Sequence, residues 1–322
     1  MTKLFSTVDI PEPYNKLLFE HFPDAEIWPG TKKITSEILY EKAKTANYLL
    51  VVPMNEIDDK IYDLPNIKII SSLSTGIENI NLKRATEKKI IVCHTPEAPT
   101  TSTADLTVGL LISAARHIVA SSEYVKNKEF LFFDPFRFYG LDVSDTTVGI
   151  IGPGRIGSAV AKRLSGFDCN FLYYGNRNQP KIDELGGKLV PLNELLSSSD
   201  FVVITCPLND TTRGMIGEEQ FKLMKKTAIL VNTGRGAIVK TDDLLYALQN
   251  KIIAGAALDV TDPEPLPVDH PLISLPNCII TSHLGAGAEG AKKAIFSTAV
   301  QAVIDFENGK RPLYPANPTV FD

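Results

Sequence analysis

Short apolar runs alternate along this chain with stretches whose apolar residues recur every three or four positions. Runs at 3–8, 25–28, 48–53, 67–73 and 90–93 read as strands, and 14–22, 35–43 and 82–88 read as the helices between them. An apolar run bounded by turn residues suits a strand buried on both faces, and strand–helix alternation builds a parallel sheet covered on both sides. The pattern then changes at Ser102-Thr-Ala-Asp105, a capping-box pattern expected to open an apolar helix over 106–115 that ends near Arg116 and His117. Alternation resumes with six strands expected at 147–151, 170–174, 201–206, 228–232, 254–260 and 278–282. Helices are expected at 157–164, 192–196, 218–224 and 241–248, and a last one, about 289–306, should return to the first unit. The expected fold class is α/β, a Rossmann doubly wound parallel sheet plus a flavodoxin-like α/β domain, the latter discontinuous in sequence. The segment 130–139 has neither period and is crowded with aromatics. It reads either as a loop whose rings plug its own core or as a subunit interface, where such residues concentrate.

One turn in this pattern carries chemistry. The apolar run Val148-Gly-Ile-Ile151 enters Gly152-Pro-Gly-Arg-Ile-Gly157, and a helix-competent segment follows directly. In a G-x-G-x-x-G turn set between strand and helix, Gly152 makes the tight turn and Gly154 leaves room for a pyrophosphate. Gly157 lets the helix pack closely, and the helix N-terminus offers N–H groups to the phosphates. Dinucleotide binding follows. The usual acid about twenty residues on, which holds the adenosine ribose, is missing: the second strand ends Tyr174-Gly-Asn-Arg-Asn178, and no acid comes before Asp183. Arg177, with Asn176 as a neutral donor beside it, therefore favours NADP(H), with NAD(H) as the other candidate. A solvated surface arginine is the plainer reading.

Composition narrows the classes. With 322 residues, 44% hydrophobic and 22% charged, there is material for about two globular domains. A formal net charge of −5 argues against a nucleic-acid partner, and no apolar run is long enough to span a bilayer. The N-terminal stretch reads as a strand rather than a secretory signal, since Asp9 falls where a signal would be apolar. Cys93, Cys169, Cys206 and Cys278 form no C-x-x-C pair and sit in apolar runs, so buried free thiols, no metal site and a reducing cytoplasm are expected.

Three residues fall just past strand ends, where doubly wound sheets place ligands: Arg235, Glu264 and His283. Each alone has a dull explanation, as a surface charge, a loop acid beside prolines and a hydrogen-bonded strand-end histidine. Together they are the set that hydride chemistry on a 2-oxo acid needs: a cation for the carboxylate and carbonyl, a proton donor, and a carboxylate that keeps the imidazole oriented and protonated.

On the motifs Gly152-Pro-Gly-Arg-Ile-Gly157, Cys206-Pro-Leu208, Asn232-Thr-Gly-Arg-Gly236, Ala257-Leu-Asp-Val-Thr-Asp-Pro-Glu-Pro-Leu266 and Ser282-His-Leu-Gly285, the chain resembles the NAD(P)-dependent D-2-hydroxy-acid dehydrogenase family. Leu73-Ser-Thr-Gly-Ile77 and the acid-free second strand make it most similar to the glyoxylate/hydroxypyruvate reductases within that family. The resemblance implies a substrate-binding domain of 1–98 plus 289–322 and a dinucleotide-binding domain of 99–288. It implies that His283 is the general acid/base, Glu264 its partner and Arg235 the substrate anchor, with Ser74, Thr75 and Gly76 completing the carboxylate site. Its cofactor set is Gly152, Gly154, Arg155, Ile156, Gly157, Asn176, Arg177, Cys206, Pro207, Thr212, Thr233, Asp259, Gly285 and Thr103, with Thr100 and Thr103 near the nicotinamide or its phosphates. A small 2-oxo or 2-hydroxy acid such as glyoxylate or hydroxypyruvate is the implied substrate, a homodimer through the second unit the implied assembly, and no regulatory domain is expected after the returning helix. Departures from the family pattern are Gly76-Ile-Glu-Asn-Ile-Asn81, Ala104-Asp105 and Gly285-Ala-Gly-Ala288, the last removing a hydroxyl from the pocket edge. A non-catalytic protein that senses the nicotinamide pool on the same scaffold is the rival reading.

Overall fold

The computed structural model describes residues 3–30, 32 and 34–322; residues 1, 2, 31 and 33 of the expected first domain lie outside it. The chain divides into two compact units, Met1–Pro99 with Ala288–Asp322, and Thr100–Gly287.

In the first unit the elements are β1 (Leu4–Ser6), α1 (Lys16–His21), β2 (Glu26–Ile27), α2 (Ser36–Ala43), β3 (Tyr48–Val51), β4 (Ile69–Ser72), α3 (Leu82–Glu87) and β5 (Ile91–Cys93). The strands are all parallel in the order β2-β1-β3-β4-β5, the flavodoxin-like arrangement. Every residue of β3 and β4 is buried; β3 accordingly reads as an unbroken apolar run, while β4 ends on the buried Ser71 and Ser72.

The second unit begins with α4 (Thr100–Ala115) and α5 (Ile118–Lys126). There follow β6 (Thr147–Ile151), α6 (Arg155–Leu164), β7 (Asn170–Tyr174), α7 (Pro180–Asp183), β8 (Lys188–Leu189), α8 (Leu192–Ser198) and β9 (Phe201–Ile204). The remainder is α9 (Glu218–Leu223), β10 (Ile229–Asn232), α10 (Thr241–Gln249), β11 (Gly255–Leu258) and β12 (Cys278–Ile280). The sheet runs β12-β11-β10-β9-β6-β7-β8, all parallel, so the chain reverses direction beside β6, as in a Rossmann sheet. Seven strands stand where six were expected. The chain then returns through α11 (Glu289–Glu307), which packs on β3 and β4 of the first unit, with the Ser71 hydroxyl donating to the Ala299 carbonyl at 3.0 Å.

Two further expectations change. The helix expected from 106 begins at Thr100, because Pro99 is compatible with a helix entry and the supposed capping residues are used elsewhere. Ser102 Oγ donates to the Gly285 carbonyl at 2.7 Å, and Asp105 pairs with Arg163 at 2.5 Å. The 130–139 segment does not plug its own core: Phe132, Phe133 and Phe136 are 71%, 78% and 76% exposed. Among the described residues no single helix is long and apolar enough to cross a membrane.

Candidate active site

Register fixes where the site can form. Tyr174, Ile151, Ile204, Asn232, Leu258 and Ile280 pair in one row across the second sheet, so the residues just after them share its C-terminal edge. Gly152, Thr205, Thr233, Asp259 and Thr281 are in that next row.

The three glycines of the first turn differ in surroundings. Gly152 has φ +91°, and a Cβ there would lie 2.4 Å from the Cys206 nitrogen, so only glycine makes the turn. At Gly157 a Cβ would meet the Gly152 carbonyl at 2.6 Å and Thr205 Oγ1 at 2.9 Å, the close approach of α6 to the sheet. At Gly154 a Cβ would meet nothing within 4 Å. Gly154 is also the N-cap of α6 and brings no side chain to its first turn. The fit to a pyrophosphate rests on that open space beside first-turn N–H groups, such as those of Ile156 and Gly157, that have no acceptor inside the helix.

Around this turn the other cofactor candidates fall into two groups. Asn176 and Arg177 are exposed just past β7, and among the described residues neither makes a hydrogen bond or ion pair. The first acid after that strand, Asp183, accepts from the Tyr173 hydroxyl at 2.5 Å. Other candidates serve the fold visibly. Cys206 backs Gly152, and burial pushes its thiol up to about 11, so it is no nucleophile. Thr212 Oγ1 donates to the Pro207 carbonyl at 2.8 Å and accepts from the Asn209 amide at 2.9 Å, closing the turn after Cys206-Pro207. Thr107 donates to the Thr103 carbonyl at 2.6 Å, which leaves Thr233 as the donor in its 2.8 Å bond to Thr107. Among the described residues Thr100 Oγ1 is buried without a partner, a hydroxyl that a bound group would satisfy.

The catalytic candidates stand in the loops that follow β10, β11 and β12. The Asn232 side chain accepts from the Gly234 amide and donates to the Arg235 carbonyl, both at 3.0 Å, which sets the backbone of Arg235. Sequence reasoning gave Asn232 no role; a polar residue ending a buried strand was the available signal. A Cβ at Gly236 would lie 2.0 Å from the Thr261 carbonyl carbon and oxygen, so the arginine turn lies directly against the loop that carries Glu264. Asp259 is 2% exposed and accepts from Thr281 Oγ1 at 2.6 Å and from the Leu284 and Gly285 amides at 2.7 and 2.8 Å. It thereby folds the turn in which His283 takes φ +60°, a strained value for a residue with a Cβ. His283 Nδ1 then lies 2.6 Å from Glu264 Oε1. This hydrogen bond is the main reason the histidine titrates above its ordinary value. Burial opposes it, the charges of Glu264 and Asp259 add to it, and Arg235 pulls the other way. Arg235, Glu264 and His283 are thus one electrostatic cluster.

Residues 108–285 match the D-isomer specific 2-hydroxyacid dehydrogenase NAD-binding domain. A glyoxylate reductase of Pyrococcus horikoshii is 39% identical over 96% of this chain and 94% of its own length. A putative 2-hydroxyacid dehydrogenase of Staphylococcus haemolyticus is 41% identical over 98% of this chain and 100% of that one. The chain belongs to the D-isomer specific 2-hydroxyacid dehydrogenase family. Its fold is shared with the TT0316 protein of Thermus thermophilus, at a TM-score of 0.92 and 34% identity over 98% of this chain and 100% of that one. As a member it is an NAD(P)-dependent dehydrogenase, and the family acts on small 2-oxo and 2-hydroxy acids.

In the first unit of this dehydrogenase the Ser74-Thr75-Gly76 loop follows β4. Ser74 Oγ accepts from the Gly76 amide at 3.1 Å, Thr75 Oγ1 donates to the Thr95 carbonyl at 3.1 Å, and His94 Nδ1 lies 3.0 Å from the Thr75 carbonyl. The loop is therefore held firmly, but the Gly76 amide expected to meet substrate is already used within it.

Proposed function

We propose that this dehydrogenase reduces a small 2-oxo acid, glyoxylate or hydroxypyruvate, to the D-2-hydroxy acid, using NADPH in preference to NADH. The observation that carries the chemistry is the 2.6 Å His283–Glu264 pair in one cluster with Arg235. The names of the glyoxylate reductases it resembles support the substrate, and the acid-free loop with Arg177 supports the cofactor.

The Gly152–Gly157 turn and α6 hold the pyrophosphate in this reading, Asn176 and Arg177 the adenosine end. Oδ2 of Asp259, with one protein donor, retains capacity for the carboxamide. Bound nicotinamide supplies the hydride to the carbonyl carbon. Arg235 holds the substrate carboxylate and draws electron density toward the carbonyl oxygen. His283 Nδ1 is engaged by Glu264, so Nε2 is the nitrogen that gives its proton to that oxygen. The net change consumes one 2-oxo acid, one reduced cofactor and one proton. Ser74 and Thr75 are assigned to the same substrate through the resemblance of their loop. The exposed rings of 130–139 are assigned to a homodimer contact, since aromatic residues concentrate at such interfaces.

The test is oxidation of NADPH and of NADH by the purified protein with glyoxylate, hydroxypyruvate and pyruvate. Turnover of the first two with NADPH is expected. No turnover of any 2-oxo acid would overturn the reading.

A further inference from the structure

The loop after β7 is tied to the glycine turn at both of its ends. At its start, a Cβ on Gly175 would lie 2.7 and 2.9 Å from the ring of Pro153, the residue between Gly152 and Gly154. At its end, Gln179 Nε2 donates to the Pro153 carbonyl at 2.5 Å. The Gln179 backbone amide donates to the Tyr173 hydroxyl at 3.1 Å, and that hydroxyl donates onward to Asp183. Between these anchors Asn176, Arg177 and Asn178 are exposed, with no hydrogen bond or ion pair among the described residues. The result is a three-residue arch of polar side chains whose far end is fixed to β7 through the Gln179 backbone amide and to the glycine turn through its side-chain amide.

We propose that Gln179 is a positioning residue for cofactor discrimination: its amide holds the Asn176–Asn178 arch against the pyrophosphate turn, so that the arch meets the adenosine 2′ position in a fixed geometry. The proposal rests on the reading of Arg177 given above and deepens it. Gln179 does not itself touch the cofactor. It removes freedom that the arch would otherwise lose on binding, and so acts on the part of the affinity that the arch supplies. The 5′-phosphate side, held by the turn and α6, does not depend on it.

The test uses cofactor fragments rather than turnover. Gln179→Met keeps the length of the side chain and removes the donor. Calorimetry on the cofactor-free protein compares adenosine 2′,5′-bisphosphate with 5′-AMP for wild type, Gln179→Met, Arg177→Ala and the double variant. Losing one hydrogen bond should weaken the bisphosphate about three- to tenfold and leave 5′-AMP within about twofold. Amide exchange over 175–179 should quicken without a drop in melting temperature. In the Arg177→Ala background the second substitution should add little, because the tether acts through the arch. Equal weakening of both fragments, no weakening, or full additivity with Arg177→Ala would overturn the proposal. If Arg177→Ala alone leaves bisphosphate binding unchanged, the Arg177 assignment falls by itself; a selective effect of Gln179→Met then supports a tether acting through Asn176 or Asn178.

Discussion

Replacing Glu264 with Gln keeps the shape of the partner and removes its charge. His283 Nδ1 and Glu264 Oε1 are 2.6 Å apart, and the carboxylate is the first cause of the raised histidine pKa. Because that pKa is raised, the proton-donating form persists to higher pH, and reduction should be lost as pH rises through the raised value. Without the carboxylate the loss should begin at lower pH. A hydrogen bond to a charged group contributes about 1.5–3 kcal/mol, and each ~1.4 kcal/mol is tenfold in rate. Near neutral pH, kcat for 2-oxo acid reduction should therefore fall by roughly 10–100-fold. On acidification the deficit should narrow, since bulk protons restore the donor and only the lost orientation remains. The assay is steady-state reduction across pH at saturating cofactor. A deficit of the same size at every pH, or none, would refute the idea that Glu264 acts by holding the proton on His283.

Gly154→Ala should weaken NADP⁺ and NAD⁺ binding at least tenfold by calorimetry with an unchanged melting temperature, since the new methyl enters open space meant for phosphate. Gly157→Ala should instead lower the melting temperature by several degrees, because its Cβ would lie 2.6 Å from the Gly152 carbonyl and overpacking costs about 1–3 kcal/mol. If the two variants behave alike, the separate roles given to these glycines are wrong. Phe132→Asp with Phe133→Asp should convert a dimer to a monomer in light scattering; a monomeric wild type would remove the interface assignment.

How much of this was legible from residues depends on what each element buries. Strands β6 and β7 were read to the residue because apolar runs end where glycine or a polar turn begins. At β9 the run continues to Cys206, but strand pairing stops at Ile204. Apolarity reports burial, and Cys206 is buried against the glycine turn rather than in the ladder. Helix α5 was missed since none of its residues is buried and Ile118, Val119 and Val125 face outward, so it shows no core-facing stripe. Strand β8 has two exposed residues and left no signal. The catalytic candidates were visible because strand ends in a parallel sheet are countable from sequence. The supports of Asn232, Asp259 and Gln179 were not, because each acts through a backbone atom that only the folded turn brings near.

The role proposed for His283, proton donor in a reduction driven by NADPH, is tested by His283→Asn. Turnover of glyoxylate and hydroxypyruvate is followed beside calorimetric binding of the cofactor to the same preparation. In this variant kcat should be lower by ~10²–10⁴-fold with cofactor affinity within about twofold of wild type. Turnover near the wild-type rate would contradict it.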